Sequence, residues 1–84
     1  LLNVSQAAPV EPPPEPLREA MAEMVLSEAD THLYGPVLGL PALREAIAAR
    51  WSASYGGAID ATQVAITAGC NQAYCAAVAT LCGE

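Results

Sequence analysis

The chain has 84 residues and a formal net charge of −6, with nine acidic side chains against three arginines and no lysine. A nucleic-acid surface needs clustered cations that displace counterions from phosphates, so this composition excludes DNA and RNA as partners. An acidic membrane surface would repel the chain, which also lacks an apolar run of about 18 residues that could span a bilayer. The sequence begins inside an apolar–polar run without Met and stops just after Gly83, which indicates a piece of a larger protein.

The three cysteines, Cys70, Cys75 and Cys82, follow neither a metal-binding nor a disulfide pattern. No histidine lies near them, so their spacing is a poor fit for zinc. On one helix, Cys75 and Cys82 would lie about 10 Å apart along the axis, too far for a disulfide. We interpret all three as reduced thiols that act as small apolar side chains, which predicts a cytoplasmic location.

The first segment, residues 1–16, is predicted to be extended. It contains five prolines, and proline both fixes φ and removes a backbone donor, so a helix is disfavoured. Two interpretations fit this composition. One is an arm laid on a neighbouring subunit, and the other is a plain disordered tail.

The second segment, residues 17–57, is predicted to be helical around one loop. A first helix is expected over residues 17–29, where apolar residues recur at helical spacing after a proline that suits the first turn. A loop follows over residues 31–40, because two glycines and a proline break regular structure there. A second helix begins at Pro41 and ends at the glycine pair 56–57.

Aromatic and histidine side chains of this segment are the next candidates. Tyr34 lies in the predicted loop, where its phenol can donate a hydrogen bond to an anion, although a half-buried anchoring role is commoner. Trp51 is predicted to belong to the core. His32 has no acid or nucleophile beside it in the sequence, so we interpret it as a loop or surface residue. The sequence predicts no catalytic triad and no metal site.

The third segment, residues 58–84, predicts a strand, a small-residue turn and a helix. Apolar residues favour a strand over residues 63–67 and a helix over residues 71–82 that is apolar on every side, as in the interior of a larger structure. The start of a helix carries unpaired N–H groups and a partial positive charge, which favour an anion and above all phosphate. Two alternatives stay open: an ordinary strand-to-helix turn, and capping of the helix by Asn71.

Four stretches, in this order, resemble the N-terminal part of the class I and II aminotransferases, the aspartate-aminotransferase-like group of pyridoxal-phosphate enzymes. They are residues 3–9 (NVSQAAP) against N-L-x-x-G-x-P, residues 34–48 (YGPVLGLPALREAIA) against Y-x-x-x-x-G-x-x-x-L-R-x-A-I-A, residues 64–67 (VAIT) against a strand of the large domain, and residues 68–73 (AGCNQA) against S/T-G-C/A/T-x-Q/G-A.

The resemblance implies an α/β protein of fold type I that binds pyridoxal 5'-phosphate and forms a homodimer. Within that fold, residues 1–16 would be the extended arm and residues 17–57 the helical segment with the Tyr34 loop. Residues 58–84 would begin the large cofactor-binding domain. The implied substrates are an amino acid and a 2-oxo acid.

The resemblance also implies roles for individual residues. Gly69 and Cys70 would hold the cofactor phosphate through backbone amides, and Ala68 falls at the preceding small or hydroxyl residue. Tyr34 would give its hydroxyl to the same phosphate from the other subunit, and Ala7 would line the region of the substrate carboxylate. Three departures stand out: Ala68 has no hydroxyl, Cys70 replaces a residue that is Thr in some members, and Ala7 replaces a glycine.

The implied function is that of a pyridoxal-phosphate-dependent aminotransferase, with this chain as its N-terminal portion. The family's chemistry needs a lysine that bonds to the cofactor and moves the substrate's α-proton, and these 84 residues contain none. We therefore expect the chain alone to be inactive. Two alternatives remain: another enzyme of the same fold and cofactor (a decarboxylase, lyase or synthase), and a non-catalytic acidic helical interaction module.

Overall fold

The computed structural model of the chain describes residues 9–83. The chain divides into two units, one up to Leu33 and one from Tyr34 onward. The α-helices are α1 (Glu15–Ser27), α2 (Pro41–Tyr55) and α3 (Cys70–Leu81), and two short 3-10 helices span Ala29–His32 and Ala61–Gln63. Within residues 9–83, no helix has the length and apolar content needed to traverse a bilayer.

In the first unit, α1 begins two residues before its predicted start and ends two residues earlier than predicted. Pro16 lies in its first turn, where the missing N–H costs no helical hydrogen bond, and this confirms the expected start signal. The residues after α1, predicted as the helix end and a loop, instead form the 3-10 helix Ala29–His32. The apolar stripe of α1 is exposed, with Leu17 at 51% and Met21 at 58%.

In the second unit, α2 begins at Pro41 and ends before Gly56, as the sequence predicts. Gly56 adopts a left-handed conformation (φ 66°), which a glycine accepts without the steric cost of a Cβ. Ala48 on this helix is the one buried residue among those described. Trp51 is 44% exposed and stacks on Tyr55 with ring centroids 5.0 Å apart, so its prediction as a core residue is wrong.

The second 3-10 helix, Ala61–Gln63, has Asp60 as its N-cap residue. The Asp60 carboxylate accepts hydrogen bonds from the Thr62 N–H at 2.8 Å and the Thr62 hydroxyl at 2.6 Å. In return, the side-chain oxygen of Gln63 accepts the Asp60 N–H at 2.9 Å, which completes a capping box. The hydroxyl of Thr62, then its N–H, and then the positive charge of Arg44 lower the pKa of Asp60 below 3.8.

The strand predicted over residues 63–67 does not form within residues 9–83. Gln63 closes the 3-10 helix, and residues 64–67 have no regular secondary structure. A strand needs a row of backbone partners, and the one long-range backbone bond to this stretch runs from the Ile66 N–H to the Leu38 carbonyl at 2.9 Å. The described part of the α/β fold implied above is therefore helical.

The last helix, α3, begins one residue before its predicted start and ends one residue before its predicted end. Its apolar side chains are exposed in the described part of the chain, from 40% at Val78 to 83% at Leu81. The three cysteines on and beside it are free and exposed in the described part of the chain, and their interpretation as reduced thiols stays a prediction. Their apolar packing role is not seen among these residues.

Candidate functional site

The candidate site is the turn at residues 67–70, which leads into α3. Gly69 precedes the helix with φ 88° and ψ 172°, a combination that glycine adopts readily and other residues do not. A Cβ on Gly69 would meet no atom within 4 Å, so the backbone angle, and not crowding, requires glycine here. The turn is open to solvent, with Ala68, Gly69 and Cys70 all exposed.

Two amides of this turn already have acceptors within the chain. The Ala68 N–H donates to the side-chain oxygen of Gln72 at 2.6 Å, and the Gly69 N–H donates to the Thr67 carbonyl at 2.9 Å. The Thr67 hydroxyl donates to the Gly69 carbonyl at 3.1 Å. These three bonds link both sides of the turn to each other and to the first turn of α3.

The next three amides have no partner among the residues that the structure describes. No acceptor among residues 9–83 takes the N–H of Cys70, Asn71 or Gln72. The first turn of α3, all of it described, contains no acidic side chain. Unpaired donors at a helix start attract an anion, and here no carboxylate of that turn competes for them. Asn71 lies inside the helix and makes no capping bond, so the alternative of an Asn71 cap is wrong.

Arg44 on α2 anchors the stretch that leads into the turn. Its Nε donates to the Val64 carbonyl and its Nη2 to the Ala61 carbonyl, both at 2.8 Å and partly buried. A guanidinium presents several donors in a fixed plane, so one side chain holds two carbonyls three residues apart. The sequence placed Arg44 in a family motif without assigning it a task.

The Tyr34 loop contacts the same stretch close to the turn. Gly39 has φ 99°, and a Cβ built on it would lie 2.6 Å from the Cβ of Ile66, where no real side chain fits. Beside this contact, the Ile66 N–H donates to the Leu38 carbonyl. The backbone of the loop at Gly39 therefore packs against the side chain of Ile66, within one unit.

Tyr34 itself is fully exposed, at 108% of its reference area. Its hydroxyl has no hydrogen-bond partner in the described part of the chain, so the half-buried anchoring role is wrong. The structure does not bring Tyr34 and the turn together through a hydrogen bond within one chain. The role from the other subunit stays a prediction, and so do the phosphate roles of Ala68, Gly69 and Cys70.

The remaining predicted site residue, Ala7, lies outside the described residues. Within residues 9–83, no three side chains of His, Cys, Asp or Glu are grouped to hold a metal ion. Sequence reasoning missed the contact of Gln72, which a glutamine at the third helical position after a turn could have signalled, because this is the position of the acceptor in a capping box.

Comparison with known proteins gives the family. The family model "Aminotransferase class I and II" matches residues 1–84, which is the whole chain. The chain belongs to this family. It is 38% identical over 81 residues to the methionine aminotransferase of Escherichia coli (strain K12), covering 95% of this chain and 20% of that protein. It is 40% identical over 70 residues to the transaminase BacF of Bacillus subtilis (strain 168), covering 82% of this chain and 17% of that protein.

The chain thus spans about a fifth of the length of these curated aminotransferases. No solved structure matches it. The resemblance found from four short stretches is confirmed, because the match to the class I and II aminotransferases runs through all four. The family fits fold type I. The described part of this chain consists of helices and loops.

Proposed function

We propose that this chain is the N-terminal part of a pyridoxal-phosphate-dependent aminotransferase, which moves an amino group between an amino acid and a 2-oxo acid. The observation that carries the proposal is the open turn at Gly69, with unpaired amides at Cys70 and Asn71, in a chain that the family model matches from end to end. Such a helix start suits a phosphate ester with two negative charges.

The residues present fit the cofactor's phosphate. The unpaired N–H groups supply donors and the helix supplies a favourable dipole, while the exposure of the turn leaves room for the group. The Gly69 N–H is bonded to Thr67 in this structure, so its use by phosphate means exchanging one acceptor for another. Ala68 adds no hydroxyl donor, and the thiol of Cys70 is a weak one.

The substrate side of the proposal involves the first segment. Ala7 would border the substrate carboxylate, and the proline-rich arm would lie on the partner subunit of a cytoplasmic homodimer. When bound, pyridoxal phosphate supplies the electron sink for the bond changes at the amino acid's α-carbon. This chain's own residues bind and orient the cofactor, and the lysine that the chemistry needs is not among them.

The test is Tyr34→Phe in the full-length protein of which this chain would be the N-terminal part. We expect cofactor affinity to fall by about 1.5–3 kcal/mol, which is about 10- to 150-fold, because one hydrogen bond to a charged group is lost. Cofactor retained after dialysis is read from its absorbance. Transamination is assayed with a panel of amino acids. The panel includes methionine because the E. coli relative is called a methionine aminotransferase.

Tyr55→Phe is the matched control, since this tyrosine is also exposed and lies on α2, where it stacks on Trp51. It should keep the cofactor as well as the unaltered protein does. If Tyr34→Phe retains its cofactor equally well through dialysis, the role of Tyr34 is refuted. If the unaltered protein binds no pyridoxal phosphate, the proposed function itself is refuted.

A further inference from the structure

The side chain of Gln72 reaches back over the start of its own helix. It occupies the third position of α3, and its oxygen accepts the N–H of Ala68, the residue before the N-cap Gly69, at 2.6 Å. A backbone N–H only donates, so the oxygen of the side-chain amide faces Ala68 and its NH2 group faces elsewhere. We propose that Gln72 is the positioning residue of the phosphate turn, an inference that rests on the proposed function.

The chain contains a second helix start at which a glutamine accepts a backbone N–H. Comparing the two starts separates capping by the chain's own side chains from binding of an outside anion. At the 3-10 helix, Gln63 also accepts a backbone N–H, that of Asp60, while the Asp60 carboxylate occupies the N–H of Thr62. At α3 the N-cap is Gly69, which has no side chain that could accept a backbone N–H of the helix. The first helix start is thus filled by the chain's own carboxylate, and the start of α3 is left for an outside anion.

The bond from Gln72 acts where the backbone is least constrained. Ala68 and Gly69 have no side chain that could hold the turn, and glycine has more conformations to lose than any other residue. The bond to Ala68 fixes the peptide plane just before Gly69 and ties it to the helix. It also removes the Ala68 N–H from competition for the anion. An anion then binds a turn that is already in its binding conformation. The apparent affinity for the anion is proportional to the fraction of molecules in that conformation, so the bond from Gln72 raises it.

The experiment measures binding, with activity as a secondary readout. Apo full-length protein is titrated with pyridoxal phosphate by absorbance and with inorganic phosphate by competition. Gln72→Met removes the acceptor at nearly constant volume, and Gln72→Glu restores an acceptor oxygen. We expect Gln72→Met to bind both probes about 3- to 10-fold more weakly, the effect of one neutral hydrogen bond. Gln72→Glu should lie within about twofold of the unaltered protein once about 1 M salt screens its charge.

Gln63→Met is the matched control, because it removes the same kind of bond at Asp60, away from the turn. It should lower thermal stability and leave both affinities unchanged. Equal affinities of Gln72→Met and the unaltered protein overturn the inference, as does a loss in Gln72→Glu as large as that in Gln72→Met. Failure of the unaltered protein to bind pyridoxal phosphate is a different result, and it overturns the proposed function instead.

A second measurement needs no variant and so does not depend on how any variant folds. Hydrogen exchange in the unaltered protein should find the Ala68 N–H protected in the apo form and equally protected with cofactor, because its acceptor is Gln72 throughout. The N–H of Cys70 should gain protection only when the cofactor is bound. An unprotected Ala68 N–H in the apo form overturns the inference.

Discussion

The ionised form of Asp60 is favoured by its own helix start. The hydroxyl and the N–H of Thr62 both donate to one carboxylate oxygen, and they lower the pKa of Asp60 below its ordinary value of 3.8. A lowered pKa in the folded chain means that the carboxylate contributes stability above the unfolded value. That contribution is lost as the pH falls through the folded value. Acidification below about pH 3.8 should therefore loosen this helix start.

Thr62→Val tests this at the level of a single residue. It removes the hydroxyl, which makes the largest contribution to the pKa shift, so we expect the pKa of Asp60 to rise toward 3.8. A pH titration of the carboxyl carbon by NMR, with labelled aspartate, gives the value directly. Thr80→Val is the control, because the Thr80 hydroxyl donates to Ala76 on α3 and touches no carboxylate. An unchanged pKa in Thr62→Val would show that the hydroxyl is not the cause.

At the scale of elements, Arg44 on α2 holds residues 61–64, which lead toward the turn, through two hydrogen bonds. Arg44→Met should remove the guanidinium bonds to the carbonyls of Ala61 and Val64 and let this stretch open more often. Loss of hydrogen bonds to a charged group costs about 1.5–3 kcal/mol, so amide exchange at Ile66 should be about 10- to 150-fold faster. Hydrogen exchange followed by mass spectrometry of the peptide covering residues 61–67 measures it.

Arg50→Met provides the comparison for that prediction. Arg50 lies on the same helix and is exposed. The bonds to the carbonyls of Ala61 and Val64 come from Arg44 and not from Arg50. Its replacement should leave exchange at Ile66 unchanged. If both variants speed exchange equally, the cause is a general loosening of α2 and not the anchoring bonds of Arg44.

The elements also show what the sequence can and cannot foretell. The limits of α2 follow from Pro41 and Gly56 because helix starts and stops are set by neighbouring residues. The apolar residues at 63–67 predict a strand, but a strand exists only beside a partner, and Leu38 supplies a single bond. A glutamine at the third helical position could have signalled the contact of Gln72, but that this contact reaches the N–H of Ala68 depends on the conformation of Gly69.

For the molecule as a whole, the predicted role of Tyr34 means that each cofactor site contains residues of both subunits: the turn at Gly69 from one and Tyr34 from the other. Subunits carrying Tyr34→Phe are mixed with subunits carrying Gly69→Val, in which a β-branched residue is forced into a backbone conformation that costs about 1–3 kcal/mol. If Tyr34 serves the partner's site, each mixed dimer contains one site with an intact turn and an intact tyrosine. Cofactor binding and activity should then return to about half of the normal level per mixed dimer.

The two parent dimers are the controls, since each has a defect at both of its sites. If Tyr34 instead serves its own subunit's site, every site in the mixed dimer keeps one defect and mixing restores nothing. Rescue on mixing therefore supports the shared site, and its absence contradicts it. Separate affinity tags on the two subunits isolate the mixed dimer for the measurement.

The close approach of Gly39 to Ile66 has a practical consequence for building hybrids with related enzymes. The Cα hydrogen of Gly39 occupies space that any larger group would have to take from Ile66, so each position fixes what the other tolerates. A chimaera whose crossover falls between residues 40 and 61 splits this matched pair between two parents. Grafts should instead exchange both stretches together, as a single cassette taken from one donor.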